Sequence, residues 1–237
     1  MIKSKILLGM LMAILLTGCG QSPITGSGNV VTQEEAISGF DKVEVSHAFK
    51  VNISQGETFS VVVHIDDNLL QYLEVVKQGS TLKIGLKTER ISRDTIREAE
   101  VTMPDLTGLD LRGASQVIFT GFKSTNALNL DLSAASHLRG DIEAGDTQLD
   151  VSDASQVTLR GSAGDVTMDD VSGASTVDLA DFPVVNANVT ARDTSVITVN
   201  ASGTLDVDAS GASEVYYVGN PTLGTVNTAD DSKVEPK

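Results

Sequence analysis

A short motif recurs through the chain from residue 113 onward, at intervals close to 20 residues. Its usual form is a small residue followed by alanine and serine, as in "GAS" at 113–115, "DAS" at 153–155 and "GAS" at 211–213. The serines of the seven copies are Ser115, Ser136, Ser155, Ser175, Ser195, Ser213 and Ser232. Repetition at one spacing is typical of a solenoid, in which each copy forms one coil that stacks on the next.

Apolar residues keep a fixed place relative to each serine. The residue two places after the serine is apolar in every copy, as at Val117, Val157 and Ile197, and the columns four and six places before it are mostly apolar. These columns alternate with polar ones, which predicts β-strands, and no helical pattern competes. We therefore predict an all-β chain folded as a parallel β-helix, with like residues ~4.8 Å apart. Because a strict hexapeptide repeat is absent, a right-handed, three-faced solenoid is expected.

The seven serines are predicted to be structural. Each shares the parity of the apolar residue two places on, so it points into the coil beside a corner, where only a small side chain fits. Its hydroxyl can bond to the backbone or to the serine of the next coil. Gly113 or Asp153, two places before a serine, tolerates the positive φ that such corners often need. A nucleophilic role is disfavoured, because among these serines only Ser136 is followed by a histidine, His137.

The two ends of the predicted solenoid are less regular. Residues 40–104 alternate in places but repeat poorly, so we predict irregular opening coils, with one or two helical turns in "NLLQYLEVV" at 68–76. These coils would cap the rod, because a solenoid needs covered ends to avoid edge pairing. At the other end, "DDSKVEPK" places charges and Pro236 on the last edge, as a cap should.

The N-terminus has the pattern of an exported lipoprotein. Two lysines precede the apolar run "ILLGMLMAILL", which is too short to span a bilayer comfortably. It is followed by "LTGC", which resembles the lipobox, where the chain is cut before a cysteine that is then lipidated; Cys19 is the only cysteine. We predict a signal peptide over 1–18, a lipidated Cys19 with a flexible tether over 19–38, and one β-helix domain over 39–237. An ordinary signal peptide with a chance cysteine is the alternative.

Charge and composition narrow the range of partners. Cleavage before Cys19 removes two lysines and leaves 15 basic against 32 acidic side chains, a formal charge of −17. Such acidity argues against nucleic acid and against an anionic membrane surface as partners. An aromatic content of 4% without tryptophan is poor for a sugar site built on stacking. Gly20 stands where an aspartate would favour retention in the inner membrane, so the outer membrane of a Gram-negative envelope is the expected location.

A column of acidic residues is the strongest candidate for a binding site. Five places before the successive serines stand Asp110, Asp131, Asp150 and Asp170, and then Thr190, Asp208 and Asn227. By parity this column faces outward, and stacked carboxylates would raise the pKa values of their neighbours. One interpretation is a solvated acidic face, and a sharper one is a ladder that binds Ca²⁺ through several oxygens. No other metal, nucleophile or phosphate motif is visible in the sequence, and no cofactor is predicted.

Three stretches resemble one known family. They are "GFDKVEVSHAFKVNISQGE" at 39–57, "DDNLLQYLEVVKQGSTLKIGLK" at 66–87 and "MPDLTGLDLRGAS" at 103–115, and they are similar to the putative auto-transporter adhesin head family, also called the GIN domain. The resemblance extends over roughly residues 39–220. It implies a right-handed parallel β-helix, often carried by lipoproteins of Bacteroidetes-type envelopes, and it brings no catalytic residues.

Two classes of function remain. The first is a non-enzymatic, adhesin-like or structural surface lipoprotein that meets the membrane through its lipid and a glycan or protein through its surface, with homo-oligomers as a further expectation. The alternative is a polysaccharide lyase or hydrolase, since many β-helices cleave acidic glycans. Such enzymes cluster acids with a basic residue on one face, whereas the arginines of the repeats do not all share one position. These are Arg112, Arg139, Arg160 and Arg192. Fold analogy alone is weak evidence of activity, so the non-enzymatic class is favoured.

Overall fold

The computed structural model describes residues 22–88, 90–92 and 94–237. The predicted signal peptide and Cys19 lie outside these residues. The described residues form 21 β-strands and one 3-10 helix. No helix among them is both long enough and apolar enough to cross a membrane. This part of the chain is therefore almost entirely β, as the alternating pattern predicts.

The first seven strands and the helix belong to the N-terminal part. They are β1 (Val30–Glu34), β2 (Lys42–Val45), β3 (Lys50–Gln55), β4 (Ser60–Asp66), the 3-10 helix (Asp67–Tyr72), β5 (Leu73–Gln78), β6 (Thr81–Leu86) and β7 (Arg97–Met103). From β8 onward the strands alternate between two sheets. In the first sheet lie β8 (Gly108–Leu111), β10 (Leu128–Leu132), β12 (Thr147–Val151), β14 (Val166–Val171), β16 (Ala187–Ala191), β18 (Thr204–Ala209) and β20 (Thr222–Thr228). In the second lie β9 (Gln116–Lys123), β11 (His137–Glu143), β13 (Gln156–Ser162), β15 (Thr176–Val184), β17 (Val196–Ala201), β19 (Glu214–Gly219) and β21 (Lys233–Pro236).

The coils from β8 onward stack in parallel. The first sheet has ten strands in the order β20-β18-β16-β14-β12-β10-β8-β2-β6-β5. The second has eleven in the order β1-β4-β7-β3-β9-β11-β13-β15-β17-β19-β21. Inward residues stack on one another: Leu130 lies opposite Leu109 on one side and Leu149 on the other, and all three are buried. The predicted parallel β-solenoid is confirmed.

The strands of the solenoid belong to two hydrogen-bonded sheets. Each regular coil contributes one strand to each sheet. Some strands of the second sheet carry an irregularity within their length. In β9 the φ of Gly121 is 77°, and the register between β9 and β11 shifts between Gly140 and Ile142. A bulge of this kind turns a strand without ending it, so one strand can contribute to two faces of a coil.

The serine corners are tight turns inside the solenoid. Six of the seven serines have no exposed surface, and Ser232, on the last coil, is partly exposed. At one corner Asp153 and Ala154 have φ values of 55° and 62°, and the Ser155 N–H donates to the carbonyl of Ser152 at 3.3 Å. Positive φ at both central residues is the conformation of a type I′ turn. The alanine before the serine therefore also adopts a left-handed conformation, which the sequence pattern does not predict.

The buried serine hydroxyls bond within the corner or to the next coil. Ser115 Oγ donates to the carbonyl of Arg112 at 2.7 Å. Ser155 Oγ accepts the N–H of Ser136, one coil away, at 3.2 Å. Among the described residues, Ser195 Oγ has no hydrogen-bond partner. The serine column thus supplies hydrogen bonds to the tight turns of the solenoid.

The other corner of the coils carries a ladder of aspartate and asparagine side chains. Asn186 donates both its backbone N–H and its side-chain amide to Asp165 Oδ1 at 3.0 Å, and Asn186 Oδ1 accepts the Thr204 N–H at 2.9 Å. One coil earlier, Asp146 Oδ1 accepts the Asp165 N–H at 3.0 Å. These bonds satisfy backbone groups that the turns leave unpaired. The serine motif does not predict this ladder, although the members of the ladder follow the same repeat spacing.

The N-terminal part begins with one regular coil. β2 and β3 stack beside β8 and β9, and the corner between them, 46–49, has positive φ at His47 and Ala48, with buried Phe49 in the place of the serine. Beyond this coil β6 and β7 still pair in parallel with β2 and β3, and the outer pairs, β4 with β7 and β5 with β6, are antiparallel. The 3-10 helix buries Leu69 in the core. The cap therefore combines a parallel layer, β6 and β7, with antiparallel strands and a short helix, in agreement with the irregular opening coils that the sequence predicts.

Part of the predicted tether is folded onto this cap. The Gly28 N–H donates to Asp66 Oδ1 at 2.8 Å, β1 pairs antiparallel with β4, and Ile24 forms an isolated bridge further towards the N-terminus. The prediction of a flexible tether over 19–38 is therefore wrong for residues 24–34. Backbone pairing fixes a segment whose glycine- and serine-rich composition is typical of a linker.

None of the described residues covers the last coil as the cap covers the first. All seven residues of β20 are exposed. Leu223 and Val226 lie opposite Leu205 and Val207, yet they are 46% and 38% exposed, whereas their partners are 0% and 2% exposed. Charged residues do lie on the last edge, as predicted, but the inward positions of the last coil remain open to solvent.

Candidate functional site

The outward side chains of the ten-stranded sheet form a continuous acidic column. Asp131 lies opposite Asp110 on one side and Asp150 on the other, and Asp150 lies opposite Asp170. The structure therefore brings the four aspartates together in the order that the repeat predicts. Further along the same sheet Thr190 lies opposite Asp208, so only one of these two positions of the column carries a charge.

The column extends beyond Asp110 through a strand that the repeat does not reach. Glu44 lies opposite Asp110, and Lys83 lies opposite Glu44 with its Nζ 2.8 Å from Glu44 Oε2. β2 precedes β8 by more than sixty residues, so a search at the spacing of the repeat misses it. The available signal is "VEV" at 43–45, which has the same apolar–acidic–apolar form as "LDL" at 109–111.

Arginines pair with the first and last of the four aspartates. Arg112 donates from Nε and Nη2 to the two carboxylate oxygens of Asp110 at 2.8 and 2.7 Å, a bidentate arrangement. Arg192 Nη1 donates to Asp170 Oδ1 at 3.0 Å. Both arginines stand three places before a corner serine, so these two share a repeat position although the four arginines do not. Their pairing neutralises the two ends of the four-aspartate column.

The two middle aspartates have no ion pair with a described side chain. Burial raises the pKa of Asp131, the negative charge of Asp110 raises it further, and the positive charge of Arg112 opposes the rise. Burial also raises the pKa of Asp150, with added contributions from the negative charges of Asp169 and Asp131. The direction agrees with the sequence-based expectation for these two residues, but its leading cause is loss of hydration rather than repulsion between like charges.

A shallow groove of about 370 Å³ lies along the column, over β2, β8, β10 and β12. The polar side chains that line it include Lys42, Glu44, Asp110, Asn129, Asp131 and Asp150. Carboxylates and an amide on an open surface can accept hydrogen bonds and attract cationic groups. The groove therefore offers a surface for a positively charged group of a ligand.

Neither a metal centre nor a histidine cluster emerges from the described residues. They contain no group of three or more His, Cys, Asp and Glu side chains that could hold a metal ion. No set of ligands among them therefore supports the interpretation of the column as a calcium site. The histidines lie apart: His64 Nδ1 is 3.0 Å from Thr32 Oγ1, His47 lies in a corner beside Ser46, and His137 is exposed on β11. The solvated acidic face is the simpler interpretation of the column.

The match to a known family covers most of the chain. The profile of the family described as "putative auto-transporter adhesin, head GIN domain" matches residues 39–221. The chain belongs to this family. The match begins three residues before β2 and ends immediately before β20, so it covers the cap from β2 onward and the solenoid as far as β19.

Solved structures of putative adhesins share this GIN-domain fold. One from Bacteroides fragilis NCTC 9343 has a TM-score of 0.81 at 16% identity, and the alignment covers 90% of this chain and 100% of that one. One from Parabacteroides distasonis ATCC 8503 has a TM-score of 0.71 at 17% identity, covering 90% and 99%. A putative lipid binding protein from the same strain has a TM-score of 0.65 at 19% identity, also covering 90% and 99%. No curated protein is similar enough to this chain to count as a relative.

Proposed function

We propose that this GIN-domain protein is a lipid-anchored, adhesin-like module of the cell envelope that acts by binding rather than by catalysis. The observation that carries this proposal is the solenoid itself, whose stacked coils hold outward side chains at a regular spacing of ~4.8 Å over two continuous sheets. Surfaces of this kind suit extended contacts with a partner. Membership of the adhesin-head family supports the same class of function.

The anchor is proposed to be the lipidated Cys19, with the outer membrane as the location. Residues 24–34 are folded onto the N-terminal cap, and the five residue steps from Cys19 to Ile24 can span at most about 18 Å. An anchor at Cys19 would thus hold the capped end of the solenoid close to the membrane and direct the C-terminal end away from it. Metabolic labelling with a fatty-acid analogue tests the anchor: wild-type protein is labelled, and label retained by a Cys19→Ala variant would rule it out.

The ten-stranded sheet is proposed as the binding face. Asp131 and Asp150 lie in the groove without ion pairs to described side chains, so a lysine or arginine of a protein partner, or an amino group of a glycan, would gain a counter-charge there. The formal charge of −15 of the whole chain disfavours nucleic acid as the partner.

A glycan array and a panel of basic and acidic envelope proteins, probed with the soluble chain, test this function. Binding is expected to be weakened by the double variant Asp131→Asn with Asp150→Asn. The matched control, Glu100→Gln with Asp141→Asn, also removes two exposed charges but from the eleven-stranded sheet, and it is expected to bind like wild type. Lyase and hydrolase assays on the same glycans accompany the array. Turnover of any glycan would overturn the non-enzymatic proposal, and equal loss of binding in both double variants would overturn the proposed face.

A further inference from the structure

The outer edges of both sheets are unpaired at the C-terminal end. β20 and β21 are the last strands of their sheets, and no strand of the described chain pairs with their outer sides. β20 carries neither charge nor proline over its seven residues, and its only protective feature there is a register shift opposite 205–207. Proteins commonly guard such edges with lysine or proline, because an open edge pairs with another strand.

The backbone of β21 determines which groups are available on this edge. The N–H groups of Lys233 and Lys237 donate to the carbonyls of Ser213 and Tyr217, so they face β19. Since successive residues of a strand present their backbone groups to opposite sides, the N–H and C=O of Val234 face away from the molecule. Val234 therefore offers one donor and one acceptor to an incoming strand. Pro236, the next residue that faces outward, has no N–H, so it confines the pairing to the part of β21 around Val234.

The side chains of β21 are complementary to those of an antiparallel copy of the same strand. If two copies of β21 meet with Val234 opposite Val234, each Val234 exchanges two hydrogen bonds with the other, as a hydrogen-bonded pair does in an antiparallel ladder. In this register Lys233 of each copy lies opposite Glu235 of the other copy, so two such pairs form, one on each side of the Val234 pair. Residues opposite each other share a face of the sheet, so both pairs would be in reach on the outer surface.

We propose that two copies of this chain associate through their C-terminal ends, across a two-fold axis at Val234. An axis perpendicular to both sheets pairs β21 with β21 and brings β20 alongside β20, which covers Leu223 and Val226 of both copies. The uncharged β20 allows this approach although each chain has a formal charge of −15. A two-fold contact is closed, so it yields dimers and not filaments. Head-to-tail stacking would instead need an open N-terminal end, where the 3-10 helix and antiparallel strands lie.

Analytical ultracentrifugation of residues 22–237, which contain the whole described fold, tests this dimer. Wild type is expected to show a reversible monomer–dimer equilibrium. In a dimer of the Glu235→Lys variant, a lysine lies opposite a lysine in both symmetry-related pairs. This variant is expected to weaken the dimer at least about tenfold. Lys233→Glu does the same with two acids, although it also removes the pair between Lys233 and Glu214 within the chain. The double variant with both changes restores opposite charges and is expected to return the dissociation constant to within about threefold of wild type.

Controls separate the contact from folding and from net charge. Lys77→Glu changes the charge by the same amount as Lys233→Glu, on an edge strand at the other end, and is expected to leave the dimer unchanged. Thermal melts of dilute protein show that each variant folds. A wild-type chain that stays monomeric at millimolar concentration would overturn the proposal. The same result is expected if the edge instead pairs with a strand of another protein. A dimer insensitive to both charge reversals, or a ladder of larger oligomers, would overturn it equally.

Discussion

At the N-terminal end of the solenoid, a 3-10 helix, two antiparallel strand pairs and the segment 24–34 cover the interior, whereas at the C-terminal end the last coil leaves Leu223 and Val226 at the surface. These two residues occupy the same columns as Leu205 and Val207, which are buried one coil earlier. The comparison shows that an inward position in a solenoid is buried only when a further coil or a cap lies on it, because each coil contacts only its neighbours.

The largest effect is expected from a charge placed in the same column on the last two coils. Val207→Asp puts an unpaired carboxylate into a dry interior and is expected to destabilise the fold by more than about 4 kcal/mol. Val226→Asp is expected to cost less than about 1 kcal/mol, because water reaches this position. Chemical unfolding of dilute protein measures both. Equal losses would mean that the C-terminal end is covered as well as the coils before it.

The second effect concerns the cap. Leu69→Ala removes a fully buried side chain of the 3-10 helix and is expected to cost about 2–5 kcal/mol through the cavity that it leaves. Leu223→Ala, the same change at the open end, is expected to cost less than about 1 kcal/mol. The two melting temperatures, recorded side by side, check the difference. A Leu69→Ala variant as stable as Leu223→Ala would show that the helix does not close the interior.

The third effect concerns the hydrogen bonds that fix segment 24–34. Asp66 is buried and accepts the N–H groups of Gly28 and Ile96, both at 2.8 Å. Asp66→Ala leaves two donors unpaired and is expected to cost about 1–3 kcal/mol. Asp206→Ala, which removes an exposed acceptor of the Thr225 N–H near the open end, is expected to cost no more than about 1 kcal/mol. Limited proteolysis should also cut the Asp66→Ala protein first within 22–34; cleavage that begins elsewhere would contradict the role of Asp66.

The smallest effect distinguishes the middle of the acidic column from its arginine-paired ends. The folded-state pKa values of Asp131 and Asp150 are raised, so ionisation of these carboxylates opposes folding. Their penalty is absent below the unfolded pKa and develops as pH rises through the folded pKa. Replacing both by Asn is therefore expected to stabilise the protein at pH 7 by less than about 1 kcal/mol, and to give no gain at pH 3. A gain that is equal at both pH values would contradict this assignment.

Melting temperatures measured with calcium, magnesium and other salts distinguish the two interpretations of this column, a cation site and a solvated acidic face. A rise in melting temperature that saturates with calcium, fails with magnesium and vanishes in the double Asn variant would favour a cation site. We expect instead a small rise of equal size with any salt, because screening alone relieves a solvated acidic face.

Much of the fold was predictable because its repeat is local. Ser155 and Val157 stand two residues apart on one strand face, and their recurrence fixes the coil length, the inward columns and the stacking of Asp110 on Asp131. The antiparallel pairs of the cap were not predictable in this way, because β4 pairs with β7 across more than thirty residues and no repeated motif marks the two strands. Glu44 joins the column only through such a long-range pairing. The exposure of Val226 was hidden for a different reason: its column is apolar in all copies but one at the spacing of the repeat, and Val226 differs from Val207 in that no coil of the described chain covers it.

Hydrogen exchange along the solenoid, followed by mass spectrometry in dilute protein, tests the contrast between the ends most directly. Exchange of a backbone amide reports how readily its strand opens. If the N-terminal end is capped and the C-terminal end is open, amides of β20 and β21 exchange first, those of β18 and β19 follow, and those of β4, β6 and β7 are protected as well as the central coils. Protection of β20 and β21 equal to that of β12 and β13, or faster exchange in β4 and β7 than in β20, would contradict the account.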